Sequence, residues 1–266
     1  DRYASRGLGD VYKRQGETFA KELAGRNTNI ILVARSEDKL HKLANKLHNQ
    51  YQIQTDVIVQ DLTAAAATKS VFEVVLEKGL TIDLLVNNAG FGDYGNFTQR
   101  PLEKQVNMIQ LNITALVELT HLFLPGMQQR QSGGIINVAS IGGFQPLPYM
   151  SVYGATKAFV LSFSEALWAE NRDLGVKIFA LCPGPTESDF FQTAEFPESA
   201  GEGLQTKLTS AEEVVQDALE ALEKNQSNVV TGGFLNQVIV NTPRFFPRET
   251  LATLVEKQFQ SFKENK

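Results

Sequence analysis

Residues 140–157 read SIGGFQPLPYMSVYGATK, and three polar side chains in this stretch, Ser140, Tyr153 and Lys157, organise the reading of the whole chain. Tyr153 and Lys157 are followed by an apolar run with helical spacing, Ala158 to Trp168. Residues four apart on a helix share one face, one turn from each other. An ammonium placed there favours the phenolate over the phenol. A free tyrosine has a pKa near ~10, and moving it by one pH unit corresponds to ~1.4 kcal/mol. A neighbouring cation in a partly dry cleft supplies on the order of a few kcal/mol. A tyrosine tuned in this way can give a proton to a carbonyl oxygen or take one from an alcohol. Ser140 closes the strand-like run Gly134-Ile-Ile-Asn-Val-Ala-Ser. Its hydroxyl is therefore expected at the carboxyl end of a strand, where ligands bind in open α/β sheets. A Tyr-x-x-x-Lys pair alone is also an ordinary helix-surface pair. The upstream serine at a strand end is what argues for a site.

Outward from this stretch, strands alternate with helices. Ile30-Ile-Leu-Val-Ala is a continuous β-rich run of the kind buried on both faces of a parallel sheet. Arg35 follows it, then Ser36 as a helix cap and a helix over Lys39–Gln50. A third strand, Asp56–Gln60, ends in Asp61-Leu62-Thr63. Asp61 there can begin a turn, with Thr63 capping a helix from Ala64 to Leu80. Ile82-Asp-Leu-Leu-Val is a fourth strand, and Asn87-Asn88-Ala89-Gly90 follows it. Its small residues let backbone approach a ligand, and its amides can brace neighbouring strands. Pro101 opens a helix that runs to about Phe123, with Met108, Leu111, Ala115 and Leu119 as its apolar stripe and Asn112 inside. Val176 to Leu181 is a sixth strand, ending in Cys182-Pro183-Gly184-Pro185-Thr186. Ser210 caps a further helix, and Val229-Val230-Thr231 is a short last strand.

These motifs together resemble the short-chain dehydrogenase/reductase family, whose signature is a serine with Y-x-x-x-K thirteen residues on, preceded by N-N-A-G. The resemblance covers Gly16 to the C-terminus. It implies one α/β domain, a Rossmann-like doubly wound parallel sheet with helices on both faces. It implies an NAD(P)-dependent oxidoreductase acting on CH–OH and C=O groups: a carbonyl reductase, reversible as an alcohol dehydrogenase, on a small-molecule ketone, aldehyde or alcohol. Tyr153 is then the general acid/base, Ser140 bonds the carbonyl oxygen, and Lys157 tunes Tyr153 and binds the nicotinamide ribose. Asn112 bends its helix and holds a water in a proton relay to the lysine; a locally satisfied core asparagine is the other reading. The same resemblance assigns cofactor contacts to Gly16, Arg35, Asp61, Asn88, Ala89, Gly90, Pro183, Gly184 and Thr186. Asp61 would meet the adenine amine. An arginine at the end of the second strand accommodates the 2′-phosphate of NADP, where an acid would take the ribose hydroxyl of NAD, so Arg35 favours NADPH. A surface-loop arginine has the same setting. Relatives pair the Pro101 and Tyr153 helices across a dimer axis, so a homodimer or homotetramer is expected.

Residues 1–15, DRYASRGLGDVYKRQ, depart from this pattern. The family begins with a buried strand running into T-G-x-x-x-G-x-G, and this segment has no apolar run. Gly16 looks like the last glycine of that loop, ahead of the helix GETFAKELAGR. Ser5-Arg6-Gly7-Leu8-Gly9 mimics the loop seven residues early, and DVYKRQ resembles translated adaptor read-through joined to a true frame at Gly16. The segment is expected to be non-native or disordered, which would leave the main phosphate site unmade. A catalytically inactive truncated copy and a non-catalytic dinucleotide-binding scaffold are the alternatives; retention of Asn112, Ser140, Tyr153 and Lys157 favours the enzyme.

Composition agrees with one globular domain: 266 residues, 42% apolar, 21% charged, formal net charge −5. Without a basic tract, nucleic acid is not an expected partner. The single Cys182 permits no internal disulfide, which fits a cytoplasmic setting, and it is read as buried wall. His41, His48 and His121 have no metal-ligand spacing, so no metal is expected. No apolar run reaches the ~18–20 residues of a membrane span, and no signal peptide is visible. About residues 188–203, rich in Phe and Gly, read as a substrate lid or a surface insert. The tail, about 234–266, covers the substrate mouth, packs on a partner subunit or lies on a membrane, the last least in keeping with its mixed charges. Gln145, Pro148, Met150, Phe190 and Phe191 point to a mostly apolar pocket.

Overall fold

The computed structural model describes residues 2–8, 13–187, 190–196 and 208–264. Seven parallel strands form one sheet in the order β3-β2-β1-β4-β5-β6-β7. They are β1 (Arg2–Leu8), β2 (Asn29–Ala34), β3 (Thr55–Val59), β4 (Thr81–Asn87), β5 (Gly133–Val138), β6 (Val176–Cys182) and β7 (Asn228–Val230). The helices are α1 (Lys13–Gly25), α2 (Glu37–Tyr51), α3 (Ala67–Glu77), α4 (Leu102–Ile109), α5 (Leu116–Gln129), α6 (Ser151–Asn171), α7 (Phe190–Thr193), α8 (Ala211–Glu223), α9 (Gly233–Asn241) and α10 (Arg248–Glu264).

The period of two along a strand divides the core between two faces. Ile30 and Leu32 of β2 pack with Phe19 of α1, Leu40 of α2 and Val215 of α8. Ile31 and Val33 pack with Val71 of α3 and Leu119 and Phe123 of α5. Each fully buried aliphatic side chain contributes about 1.5–3 kcal/mol, so both faces must be covered for the sheet to hold. The doubly wound single-domain architecture read from the sequence is the one observed. The strand order reverses between β1 and β4, which puts a ligand crevice at the carboxyl edge of the sheet.

Part of residues 1–15 lies within the described residues and joins the sheet. Arg2–Leu8 forms the central strand, registered from Tyr3↔Asn29 to Leu8↔Ala34 on β2 and from Arg2↔Thr81 to Arg6↔Val86 on β4. Backbone N–H and C=O groups pair whatever the side chains are, which lets the polar sequence RYASRGL fill the gap between two apolar strands. Residues 9–12, before α1, lie outside the described residues. Gly16 sits in the first turn of α1 rather than ahead of it, because the helix begins at Lys13.

Two helix boundaries also differ. After Asp61, turns intervene and α3 starts only at Ala67, behind Ala66 in left-handed geometry, so Thr63 caps no helix. The Pro101 helix continues to Gln129 through Pro125. As a unit, Leu102–Gln129 is long and apolar enough to cross a membrane by length and composition, with mean hydropathy 1.2 over its 18-residue window. No uninterrupted apolar run in the sequence reaches that length; the helix passes on its average composition, a test that a buried core helix also meets. Met108, Ala115, Leu119, Phe123 and Met127 on it are buried in the core.

A buried polar chain ties the sheet to its helices. Asn87 Nδ2 donates to Thr120 Oγ1 (3.0 Å) and Asn137 Oδ1 (2.8 Å), Asn137 Nδ2 donates to Ser164 Oγ (3.0 Å), and Ser164 Oγ donates to Val160 O (2.7 Å). Asn87 thus braces β4 against β5, and the chain continues through α6, which carries Tyr153.

Candidate active site

Ser140 stands two residues past β5 in extended geometry and caps a tight turn, Ile141–Gly143; its Oγ accepts from Gly142 N at 3.1 Å. The turn is pinned to β6 by Ala139 N donating to Leu181 O (2.7 Å) and Ile141 N to Pro183 O (3.1 Å). It also presses on α6. A Cβ at Gly143 would lie 2.7 Å from Lys157 O, and one at Gly142 would lie 3.4 Å from Ser140 Oγ and 3.7 Å from Tyr153 Cε1. Gly143 is therefore what lets the serine turn approach the tyrosine helix, while a side chain at Gly142 would first meet Leu147 Cδ1, at 2.8 Å.

Tyr153 is 5% exposed and Lys157 is 1% exposed, both on α6. Lys157 Nζ donates to Val138 O at 2.7 Å, which holds it to the end of β5, and lies 5.8 Å from the Tyr153 ring centroid. Burial lowers the Lys157 pKa to about 7, against a smaller opposing influence from Cys182. Cys182 is itself buried, and its thiol is pushed far up by that burial, so it is a wall and not a nucleophile.

Asn112 lies 1% exposed inside a π-helical turn, Gln110–Ala115, between α4 and α5. Its Nδ2 donates to Phe91 O (3.0 Å) and Thr156 Oγ1 (3.1 Å), and its Oδ1 accepts from Phe91 N (3.1 Å). The side chain thus ties the Asn88-Ala89-Gly90 turn to α6, one residue from Lys157. Isolated π turns are frequent at functional sites.

The remaining residues expected at the cofactor are spread along the same edge of the sheet. Asn88, Ala89 and Gly90 follow β4. Pro183 and Gly184 follow β6 and line a cavity with Thr186, whose Oγ1 donates to Gly184 O at 2.9 Å. Arg35 and Asp61 follow β2 and β3, with Arg35 Nη1 3.9 Å from Asp61 Oδ2. Asp61 Oδ1 accepts from Thr63 N (2.9 Å) and Thr63 Oγ1 (2.7 Å), the turn role the sequence allowed. Small backbone turns at this edge leave room for a dinucleotide lying across it; residues 9–12, which precede α1, lie outside the described residues.

The cavity, about 500 Å³, opens onto Ser140 and Tyr153. Gln145, Phe190 and Phe191 line it as expected, whereas Pro148 and Met150 do not: Met150 is packed beneath, with Tyr94 and Met108. Of the expected lid, residues 190–196 are described. They are anchored by Tyr94 N donating to Ala194 O (2.8 Å) and by Glu195, which meets Arg100 (2.7 Å) and Lys104 (2.5 Å). Those two cations also hold the buried Asp93, Arg100 Nε at 2.7 Å and Lys104 Nζ at 2.6 Å. Burial pushes the Asp93 carboxyl up, but the hydrogen bonds and charges of Arg100 and Lys104 outweigh it and leave the pKa lowered. Sequence reading missed this cluster, and it missed the tail residues of the wall, among them Leu235, Ile239 and Phe259. The only signal for the latter was the amphipathic pattern of the tail.

A serine turn, a buried lysine and a cavity-facing tyrosine thus meet at the carboxyl edge of a doubly wound α/β sheet. Residues 13–198 match the family model for short chain dehydrogenase, and the chain belongs to that family. Among curated relatives, the very-long-chain 3-oxoacyl-CoA reductase of Anas platyrhynchos is 38% identical over 174 residues, 63% of this chain and 55% of the relative. The human inactive hydroxysteroid dehydrogenase-like protein 1 is 35% identical over 172 residues, 63% of this chain and 51% of the relative. The chain spans about half the length of the curated relatives it matches. Among solved structures, a short-chain dehydrogenase from Sphingobium yanoikuyae in complex with NADPH is 26% identical with a TM-score of 0.78, covering 100% of this chain and 96% of the other. The bulky-bulky ketone specific alcohol dehydrogenase from Comamonas testosteroni is 27% identical with a TM-score of 0.74, covering 99% and 94%.

Proposed function

We propose that the chain is an NADPH-dependent carbonyl reductase that runs reversibly as an alcohol dehydrogenase. The observation that carries this reading is that Ser140 and Tyr153 both line one apolar cavity, with the buried Lys157 Nζ 5.8 Å from the Tyr153 ring centroid. Bound NADPH would supply the hydride to the carbonyl carbon and leave as NADP⁺. Tyr153 gives its phenolic proton to the carbonyl oxygen as the C=O π bond opens. Ser140 Oγ already accepts from Gly142 N, so its own hydrogen can be donated to the same oxygen. Lys157 spends one of its three N–H bonds on Val138 O, and with a pKa of about 7 it can return a proton to Tyr153 near neutrality. Asn112 fixes the turn after β4 against α6 and, in this reading, supports that return path. The test is NADPH consumption with a ketone panel in wild type and in Tyr153→Phe.

NADPH is favoured over NADH because Arg35, 52% exposed just past the end of β2, stands where a guanidinium would meet a 2′-phosphate. A hydrogen bond to a charged group contributes about 1.5–3 kcal/mol. Arg35→Ala is therefore expected to cut kcat/KM for NADPH roughly 10- to 150-fold and to spare NADH; equal losses with both cofactors would refute the assignment.

Gly143→Ala tests the close approach that sets Ser140. The added methyl meets backbone, which cannot yield as a side chain does. Expected are a destabilisation of about 1–3 kcal/mol in urea unfolding and a fall in kcat of roughly tenfold or more; an unchanged kcat would show that Ser140 does not depend on this contact.

A homo-oligomer is part of the proposal. Leu102, Val106 and Ile109 on α4 and Phe159 on α6 are exposed apolar residues on the helices that frame the site.

A further inference from the structure

The wall of the cavity is a run of aromatic rings that starts at the proton donor. Tyr153 and Phe190 have centroids 5.2 Å apart, Phe190 and Phe196 6.3 Å, and Phe196 and Phe259 6.3 Å. Phe259 belongs to α10, far along the chain from the catalytic helix. Its position is fixed from both sides: Leu251 and Val255 of the same helix are buried, and the Phe259 carbonyl accepts from Tyr94 Oη at 3.1 Å. Tyr94 in turn stacks on Phe196 with centroids 4.8 Å apart.

The same cavity is electrically plain. Among its described lining residues there is no Lys, Arg, His, Asp or Glu. Of its amides, Asn236 is already committed, donating to Thr231 O at 2.8 Å. An ionised group on a substrate would lose water there and find no counter-charge among the described lining residues. Ring faces and edges, by contrast, give a flat apolar group favourable offset and edge contacts.

We infer that the substrate is an uncharged ketone bearing an aromatic or alicyclic ring, and that Phe259 of the C-terminal helix is the specificity-determining residue that holds that ring. The inference rests on the carbonyl-reductase reading above. It assigns a substrate class by the far wall of the cavity, whereas that reading concerns the end where the carbonyl reacts.

Three ketones separate the two. 2-Butanone carries only the reacting group, 4-phenyl-2-butanone adds a neutral ring, and 4-(4-carboxyphenyl)-2-butanone adds a charge to that ring. With the full chain and NADPH, kcat/KM is expected to be about a hundredfold higher for the phenyl ketone than for 2-butanone, and to fall at least tenfold on adding the carboxylate. Phe259→Ala should shrink the phenyl advantage about tenfold through KM, and Phe259→Leu should shrink it less. Melting curves of both variants report whether α10 still packs, and Phe259→Leu serves if the alanine variant does not fold. Equal rates for the neutral and carboxylated ring ketones, or a phenyl advantage untouched in both variants, overturn the inference and leave the reductase reading standing. No ketone turnover in wild type defeats the reductase reading instead. Saturation-transfer NMR then still ranks the three ketones as ligands, and a ranking without preference for the neutral ring overturns the inference on its own.

Discussion

Tyr153→Phe is expected to lower kcat for carbonyl reduction by about 10²–10⁴, the usual contribution of a positioned general acid. The change removes one oxygen and keeps the ring, so the contact with Phe190 at 5.2 Å and the packing with Met108 and Met150 should persist. Unfolding free energy should therefore move by less than about 1.5 kcal/mol, the range of near-isosteric swaps. The loss belongs in the chemical step: single-turnover rates fall while ketone binding stays close to wild type. A kcat within a factor of a few of wild type would remove Tyr153 from the chemistry. The cavity would then have to be read as a binding site on the same fold, the scaffold alternative that a relative named as inactive keeps in view.

Lys157→Met should disable the enzyme and relieve the fold. Lys157 is 1% exposed, and burial brings its pKa to about 7, against ~10.4 in an unfolded chain. Between those two values the unfolded chain holds a proton that the folded chain has released. Folding stability therefore rises as pH climbs from about 7 to ~10, and the cost of the buried charge is felt in full below pH 7. That cost is on the order of a few kcal/mol. Methionine removes it, while leaving Val138 O without its donor, a loss of about 1–3 kcal/mol. Urea unfolding should show the variant at its best relative to wild type near pH 6–7 and losing that advantage toward pH 10. A difference that stays constant with pH would mean that Lys157 does not titrate in this window. The reduction rate of wild type should decline above pH 7, as the lysine loses the proton it passes on, and the variant should be at least about 10²-fold slower and lack that limb.

Much of the frame was legible in local sequence. β2, β4, β5 and β6 are apolar runs because both of their faces are covered, and burial on both faces leaves that imprint on composition. Tyr153 and Lys157 share a helix face, and that is a matter of spacing alone. The rest depended on long-range facts. β1 was not legible because backbone pairing, not apolar content, puts RYASRGL in the sheet. The charge of Lys157 was read as a settled ammonium, since the depth of a side chain is not a local property. Arg100 and Glu195 are 95 residues apart, and Tyr94 and Phe259 165. Pairs so distant leave no periodic mark, so the anchoring of residues 190–196 and the far wall of the pocket emerged only from the fold.

The seven residues of β1 have a consequence for how the molecule holds together. β2 and β3 meet β4 to β7 within the sheet solely across this ribbon, so its ladder is a seam between two halves. Arg35 and Asp61 sit on one side; Ser140, Tyr153 and Lys157 sit on the other. A dinucleotide reaching from one group to the other would act as a staple over the joint, so the loaded protein should resist parting along that line better than its side-chain packing alone would suggest.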